Sequence, residues 1–309
     1  MSSQEQNELS EEKIKQMIKN KQKKLQELEK GSEYIKELSD IALLQLELEQ
    51  YEKSEQNLLT CFEHFQKQKD RLGQASVLGI LGTLYYKSAN YKKSIETYEK
   101  ALKIYRDLSQ IQERIMCLKG IGNAYIKLNK LDNASDTFFK CADISSKNKA
   151  MYDFLDCLGN LIFIFEKKEE WEVIFELYNK SLKAFQKIKD KKGIITSYFN
   201  LGIIKKNKEQ KYSEALSYFK RGTNLAIDGN YSELILKGLS YIGESFYYLG
   251  KIKEAKEQFI RGLHLAEKIN AGNAIQQFKI LLNSFGLNEQ EIQKELESFR
   301  SKRANKTKS

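Results

Sequence analysis

The 309-residue chain contains no proline, against an average usage of about 5%. Without proline, no helix is forced to break and no loop can be built on a proline turn. Alternating runs of β-branched residues, which are typical of strands, are also missing over any useful length. These two absences predict an all-α protein.

Long apolar runs are equally scarce. The longest, from Leu161 to Phe165, is far shorter than the ~20 residues that a membrane-spanning helix needs. The beginning of the chain is polar and charged, without the apolar segment of a signal peptide. We therefore expect a cytoplasmic protein with no membrane insertion.

Residues that usually carry chemistry are few and scattered. The only histidines, His64 and His264, have no converging set of carboxylates or cysteines around them in the sequence. No H-E-x-x-H, phosphate-binding loop or G-x-S-x-G motif occurs. The glycine-rich run at 120–122 lies in a predicted helix with no strand before it, so it does not predict a phosphate cradle. We expect no enzyme, no cofactor and no metal site.

The four cysteines are spaced like structural residues. Cys61 and Cys141 are 80 residues apart, and Cys117 and Cys157 are 40 residues apart. A zinc site would favour C-x2-C pairs. Cysteines at such regular separations are better explained as small buried apolar residues.

The chain does contain an internal repeat with a step of 40 residues, once 41. An apolar residue opens each unit: Leu38, Leu78, Leu118, Leu158, Tyr198 and Leu239. Four residues later comes a small or apolar residue: Ala42, Gly82, Gly122, Ile162, Gly202 and Gly243. A second small residue closes each unit: Cys61, Ala101, Cys141, Ser181, Gly222 and Gly262. A fixed period of this size indicates stacked supersecondary units.

Each unit predicts a first helix, a short polar turn and a second helix, since apolar residues recur at steps of three and four. Glycine inside a helix costs about 1 kcal/mol relative to alanine, so a recurring glycine needs a recurring reason. We expect the second helix to approach closely at a small residue, such as Ser94 or Ala134. An aromatic residue follows four positions later, as at Tyr98 and Phe138.

These positions resemble the tetratricopeptide repeat, whose pattern is W-x2-L-G-x2-Y followed by A-x3-F. Leu81, Gly82 and Tyr85 match the first part, and Ala134 and Phe138 match the second. The resemblance extends over residues 33–270 and implies a right-handed α-solenoid. Each unit is six residues longer than the usual 34 and lacks the closing proline. In its longer repeat, the chain is similar to the subclass found in kinesin light chains and spindle-orientation adaptors. Bacterial quorum-peptide sensors have repeats of similar length.

The repeat register predicts the organisation of the whole chain. Residues 1–10 are expected to be disordered, 11–32 to form a capping helix and 300–309 to be a basic disordered tail. Between them we expect six repeats and then a degenerate seventh repeat or cap: 33–74, 75–114, 115–154, 155–194, 195–235, 236–271 and 272–299.

In that family the first helices line a concave groove, and the family's offsets place nine residues of this chain there. They are Lys87, Lys119, Asn123, Lys127, Asn160, Phe163, Asn200, Lys237 and Tyr241. The resemblance implies a non-enzymatic scaffold that binds a peptide or partner-protein segment. Aromatic pockets are expected at Tyr86, Phe163, Tyr241 and Tyr247.

Three interpretations of the groove residues remain open. Lys119, Asn123 and Asn160 match three of the five positions of the family's carboxylate clamp, but Thr196 and Asn200 stand where lysine and arginine are expected. The asparagine amides could instead bracket a peptide backbone, because each offers a donor and an acceptor. They could also simply be solvated.

The net charge of +10 suggests two further alternatives. Half of it comes from residues 300–309, which carry five basic residues and no acid. Seven arginines stand against 45 lysines, whereas base recognition favours arginine. A nucleic-acid-associated protein using its lysines and tail is thus one alternative, and a ligand-responsive regulatory protein of the peptide-sensing type is another. The sequence does not predict an oligomeric state.

Overall fold

The computed structural model describes residues 3–306 and the side chains of residues 11–302. Every regular element in this part of the chain is an α-helix, and the helices pack in sequence as helix–turn–helix repeats. This is the predicted all-α, tetratricopeptide-like solenoid. The helices are α1 (Ser3–Glu27), α2 (Ser32–Glu47), α3 (Tyr51–Lys67), α4 (Arg71–Lys87), α5 (Tyr91–Asp107), α6 (Ile111–Lys127), α7 (Leu131–Lys147), α8 (Met151–Lys168), α9 (Trp171–Ile188), α10 (Lys191–Asn207), α11 (Tyr212–Asp228), α12 (Ser232–Tyr248), α13 (Ile252–Lys268), α14 (Gly272–Ser284) and α15 (Glu289–Lys306).

The even-numbered helices from α2 to α12 are the first helices of the predicted repeats, and the odd-numbered helices from α3 to α13 are the second helices. Four successive first helices begin forty residues apart, at Arg71, Ile111, Met151 and Lys191. Each begins four residues before the predicted repeat boundary. The boundaries predicted at 33 and 272, by contrast, lie within one residue of the starts of α2 and α14.

The turn between α4 and α5 shows how successive helices are joined. The N–H of Asn90 donates to the carbonyl of Tyr85 at 2.8 Å, and the N–H of Ala89 donates to the carbonyl of Tyr86 at 3.1 Å. This pattern is the Schellman motif, in which the residue after the C-cap is left-handed. Left-handed residues occur at the same place in the other turns: Glu49, Lys69, Ala89, Ser109, Asn129, Lys149, Glu169, Lys189, Gln210, Asn230, Gly250 and Asn270. Because only one of these twelve is glycine, the turns leave little trace in the sequence.

The predicted close approach of paired helices is confirmed. A β-carbon added to Gly122 would lie 2.7 Å from the ring of Phe138, and one added to Gly202 would lie 2.6 Å from the ring of Phe219. In the second repeat the hydroxyl of Ser94 also donates to the carbonyl of Gly82 at 2.7 Å. The recurring glycines thus make room for an aromatic ring of the second helix.

Contacts divide the chain into an N-terminal half that ends at Ile164 and a C-terminal half that begins at Phe165. In the N-terminal half, α2 to α7 enclose a core in which Leu84 and Phe138 are fully buried. In the C-terminal half, α10 to α15 enclose Phe219, Phe259 and Phe278. Each half therefore has an apolar core of its own.

The predicted N-terminal cap is part of a longer helix. Helix α1 packs on α2 through a buried carboxylate: Glu37 accepts hydrogen bonds from Lys21 at 2.8 Å and from Lys24 at 2.7 Å. Since α1 begins at Ser3, residues 3–10 are helical and the prediction of disorder was wrong for them. Residues 1–2 lie outside the described residues.

Helices α14 and α15 occupy the place of the predicted degenerate seventh repeat. A left-handed Gly286 separates them, with φ of 81°, and Ile292 and Leu296 of α15 are buried in the same core as Leu282 of α14. Residues 300–306 continue α15 instead of being disordered, and Arg300 pairs with Glu267 at 2.5 Å. Residues 307–309 lie outside the described residues.

Candidate binding surface

All nine predicted residues lie on first helices, and all are at least partly exposed. Six of them belong to the N-terminal half: Lys87 on α4, Lys119, Asn123 and Lys127 on α6, and Asn160 and Phe163 on α8. Three belong to the C-terminal half: Asn200 on α10, and Lys237 and Tyr241 on α12. Since each half is a separate compact body, the two sets are described separately.

Lys119 is not a free cation. Its ammonium group lies 3.3 Å from a carboxylate oxygen of Asp153 and 2.5 Å from one of Asp156, both on α8. Partial burial by itself lowers the pKa of Lys119, but the hydrogen bond and charge of Asp156 outweigh it, and the pKa is raised. The lysine position of the carboxylate-clamp pattern is therefore already neutralised by the protein's own acids.

The three asparagines differ in what their amides contact. Asn160 donates to the carbonyl of Asp156 on its own helix at 3.0 Å. Within the side chains that the structure describes, the amides of Asn123 and Asn200 have no hydrogen-bond partner. A free amide at a partly exposed position can donate to and accept from a ligand's peptide groups.

A cavity of the C-terminal half has a volume of about 800 Å³ and lies between α12 and the start of α14. We call it the α12–α14 groove. Buried Leu236 and Phe278 give it apolar walls. Lys237, Tyr241 and Gln277 add polar atoms. The volume falls within the 300–1,000 Å³ range of ligand pockets.

Tyr241 is held in place by two aromatic rings of the core. Its ring stacks on Phe219, with centroids 4.9 Å apart, and meets the edge of Phe199 at 5.5 Å. Burial, and to a lesser extent the charge of Glu244, raise the pKa of Tyr241. The side chain is thus a neutral, preorganised wall of the α12–α14 groove.

The charges in the α12–α14 groove are unevenly paired. Glu244 forms an ion pair with Lys206 of α10 at 2.5 Å and accepts from the Ser240 hydroxyl at 3.3 Å. Lys237 and Glu233 have no ion-pair partner among the described side chains. One free ammonium group and one free carboxylate therefore face the cavity from neighbouring turns of α12. The sequence did not indicate that Glu244 pairs with Lys206 of the neighbouring first helix.

Lys87 lines a smaller cavity of the N-terminal half, of about 440 Å³, between α1, α2 and α4. Met17 of α1 and Leu43 of α2 line it too and are about two-fifths exposed. The sequence did not indicate this cavity, because α1 was predicted only as a cap. The missed signal was Met17, which lies beside the buried Ile18 on a helix that is mostly polar.

Tyr86 and Tyr247, two of the four residues at which aromatic pockets were expected, contact neighbouring aromatic rings. Tyr86 is packed against the core of its half, edge-on to Tyr91 at 5.6 Å. Tyr247 is 50% exposed and meets the edge of Phe285 at 5.3 Å. Of the predicted set, Tyr241 alone lines a described cavity, and Phe163 is an exposed ring on α8.

The four cysteines are buried and reduced, as the regular spacing predicted. Burial raises the pKa of Cys61 to about 11 and that of Cys117 to about 12. Among the residues that the structure describes, no group of His, Cys, Asp and Glu is arranged to hold a metal ion. In the same part of the chain, none of the helices combines the length and apolar character needed to cross a bilayer.

Comparison with known proteins supports the fold. Tetratricopeptide repeat profiles match residues 37–107 and 120–148. The protein is a helical repeat protein by its architecture. The matched segments, which contain Gly82, Gly122 and their aromatic partners, are tetratricopeptide repeats. Curated protein sequences give no significant match to the chain.

Solved structures share the architecture at low sequence identity. The apo form of RapI is 16% identical with a TM-score of 0.50, and the match covers 77% of this chain and 99% of that one. Aspartyl phosphate phosphatase F from Bacillus subtilis is 13% identical with a TM-score of 0.50, over 83% and 71% of the chains. A signal transduction ATPase with a tetratricopeptide repeat sensor from Pyrococcus horikoshii is 15% identical with a TM-score of 0.55, over 79% and 38%. These likenesses concern the fold alone.

Proposed function

We propose that this protein is a non-enzymatic scaffold that binds a peptide or a partner-protein segment in the grooves between its first helices. The α12–α14 groove carries the proposal, because it combines a cavity of about 800 Å³ with apolar walls and a free ammonium group. The forty-residue separation of the first helices supports membership of the long-repeat subclass that resembles kinesin light chains.

The ligand would be held by three kinds of contact. An apolar side chain of the ligand would fill the space beside Leu236 and Phe278, where its burial supplies the affinity. An acidic group of the ligand would meet Lys237. The ring of Tyr241, already fixed by the core, would lose little conformational entropy on binding.

Asn200 would extend this site onto the neighbouring first helix. Asn200 and Tyr241 occupy equivalent positions in successive repeats, and their helices α10 and α12 are in contact. A ligand segment that leaves the α12–α14 groove toward α10 could place a peptide group on the free Asn200 amide. Backbone recognition by asparagine is therefore favoured over a carboxylate clamp, whose lysine, Lys119, is occupied by Asp153 and Asp156.

The test uses peptides selected on the full-length protein from a random dodecamer library. The selected peptides' Kd would then be measured for Lys237→Glu and for a matched control, Lys268→Glu, on the second helix α13. We expect Lys237→Glu to weaken binding at least tenfold and the control to leave it within twofold. Equal affinities for both variants and the wild type would rule out the α12–α14 groove.

The two alternative functions predict different observations. A nucleic-acid-associated protein would bind a poly-U oligonucleotide in a manner that falls steeply with salt and depends on residues 300–309. A peptide-sensing regulator would change its helix arrangement on binding, which small-angle scattering with and without the selected peptide would detect. The scaffold proposal expects neither effect.

A further inference from the structure

A second type of cavity lies on the other helices. It has a volume of about 510 Å³ and lies between the second helices α5 and α7, with α6 beneath them. We call it the α5–α7 cavity. The first-helix grooves do not include it, since two of its walls are second helices.

Three cations face the α5–α7 cavity without partners. Arg106 lies in the last turn of α5, Arg114 near the start of α6 and Lys140 on α7. None of the three forms an ion pair with any described side chain. Two arginines therefore flank the turn between α5 and α6 and share a cavity with a lysine.

Arg114 also has a buried atom that lacks a hydrogen bond. Its Nε is inaccessible to solvent and has no partner among the described residues. Leaving a buried donor unsatisfied carries a free-energy penalty, which is larger for a charged group. A ligand acceptor in the cavity would remove this penalty.

The contrast with other arginines is informative, because arginine is rare in this chain. Arg71 pairs with Asp107 at 2.8 Å, Arg300 pairs with Glu267 at 2.5 Å, and Arg261 donates to Gln258 at 3.0 Å. These three arginines thus find acceptors within the protein, whereas Arg221 of α11 is exposed to solvent and pairs with no described side chain. The two arginines of the α5–α7 cavity find no acceptor either.

The remaining lining residues limit the ligand. Leu118 and Ile121 of α6 give the cavity an apolar floor. Glu99 and Asp136 also line it and form no ion pair with described side chains. Two free carboxylates would repel a polyanion such as RNA, whereas a ligand with one anionic group could keep that group at the arginines.

We infer that the α5–α7 cavity binds a small amphipathic anion, with its carboxylate or phosphate group between Arg106 and Arg114 and its apolar body on Leu118 and Ile121. Guanidinium groups suit this role, because their planar fork bonds both oxygens of such a group. The volume is that of a small-molecule pocket. The site is independent of the peptide-binding proposal.

The probe is 8-anilinonaphthalene-1-sulfonate, which joins one anionic group to an apolar body and becomes fluorescent on binding. Fluorescence titration of the full chain would give its Kd for wild type, Arg106→Met, Arg114→Met and the matched control Arg71→Met. We expect saturable binding that weakens at least tenfold in the two cavity variants and stays within twofold in the control. Asp136→Asn should tighten binding two- to fivefold by removing a repulsive charge.

Competition identifies the anionic group. 4-Phenylbutyrate and phenyl phosphate would each be titrated against the bound probe, and the stronger competitor shows whether a carboxylate or a phosphate is preferred.

Thermal melts check folding: Arg114→Met should melt no lower than wild type, because the unsatisfied Nε is removed. Probe affinities that are the same in Arg106→Met, Arg114→Met and wild type would overturn the inference. Displacement of the probe by a poly-U oligonucleotide at equal charge concentration would overturn it as well.

Discussion

The ring of Tyr98 lies so close over Gly82 that a β-carbon on residue 82 would come within 2.7 Å of the ring. The two residues belong to the paired helices α4 and α5. The same relationship recurs between Gly243 and Phe259, where the distance would be 2.3 Å. In four of the repeats, the recurring glycine thus marks the place where an aromatic ring of the second helix packs on the first helix.

We predict that Gly82→Ala destabilises the protein although alanine is the better helix former. Overpacking a well-filled core costs about 1–3 kcal/mol, and the gain in helix propensity returns only about 1 kcal/mol. The net loss should be about 1 kcal/mol, seen as a lower urea midpoint.

The matched control for Gly82 lies one turn away on the same helix. A β-carbon on Gly79 would lie 3.9 Å from the Tyr105 hydroxyl, which is an ordinary contact. Gly79→Ala should therefore raise the urea midpoint. If both variants move the midpoint in the same direction, ring packing is not the reason for the glycine at 82.

Two substitutions at left-handed turn residues should change the stability of the protein in opposite directions. Gly250 has φ of 72° and no atom within 4 Å of an added β-carbon, so Gly250→Ala should cost about 1–2 kcal/mol from the backbone alone. Ala89 adopts the same conformation with φ of 59°, so Ala89→Gly should stabilise the protein by relieving that strain. Thermal denaturation of the two variants checks both signs, and a stabilised Gly250→Ala protein would refute the account of the turns.

The contact between α1 and α2 predicts a pH dependence. Hydrogen bonds from Lys21 and Lys24 lower the pKa of Glu37 to about 2 from its ordinary value of 4.5. Because the folded pKa is depressed, the stabilisation is fully present above pH 4.5 and is lost as the pH falls toward 2.

Melting of wild type and Glu37→Gln at pH 6 and pH 3 measures this effect. The difference in melting temperature should be large at pH 6 and should shrink at pH 3, where the wild-type carboxyl begins to protonate. The exposed Glu63 of α3 provides the control, since Glu63→Gln should show a small difference at both values. A difference for Glu37→Gln that is unchanged between the two pH values would contradict the ion-pair account.

The cysteines predict slow thiol chemistry. All four are buried, and the hydrogen bond of Cys157 with Cys141, together with burial, raises the pKa of Cys157. Native protein at pH 8 should react with 5,5′-dithiobis(2-nitrobenzoic acid) at less than one thiol per chain within minutes. Protein in guanidinium chloride should release four equivalents. Rapid reaction of the native protein would show that the cysteines are not core residues.

Much of the fold could be predicted from the sequence because its signals are local. Helix periodicity, the glycines at 82 and 122 and their aromatic partners all reflect contacts within one helix pair. Five of the predicted repeat boundaries lie four residues inside a first helix, since the left-handed turn residues are mostly lysine, asparagine or serine instead of glycine. Residues 3–10 and 300–306 were missed as helix because their composition is polar, although α1 and α15 are anchored further along by Glu37 and Leu296.

The binding surface could be predicted only in part. The offsets placed Lys119 and Tyr241 on the first helices correctly, but side-chain pairing between neighbouring helices has no sequence signature. The ion pairs of Lys119 with Asp153 and of Lys206 with Glu244 depend on how each helix is rotated against the next. The unpaired Arg114 could not be anticipated for the same reason.

The most direct test of the central claim is the Kd of a library-selected peptide for full-length Lys237→Glu, measured by fluorescence anisotropy beside wild type and Lys268→Glu. If partner segments bind in the α12–α14 groove, reversing the charge of Lys237 weakens binding at least tenfold and the change on α13 has no such effect. A Kd for Lys237→Glu within twofold of wild type would contradict the claim.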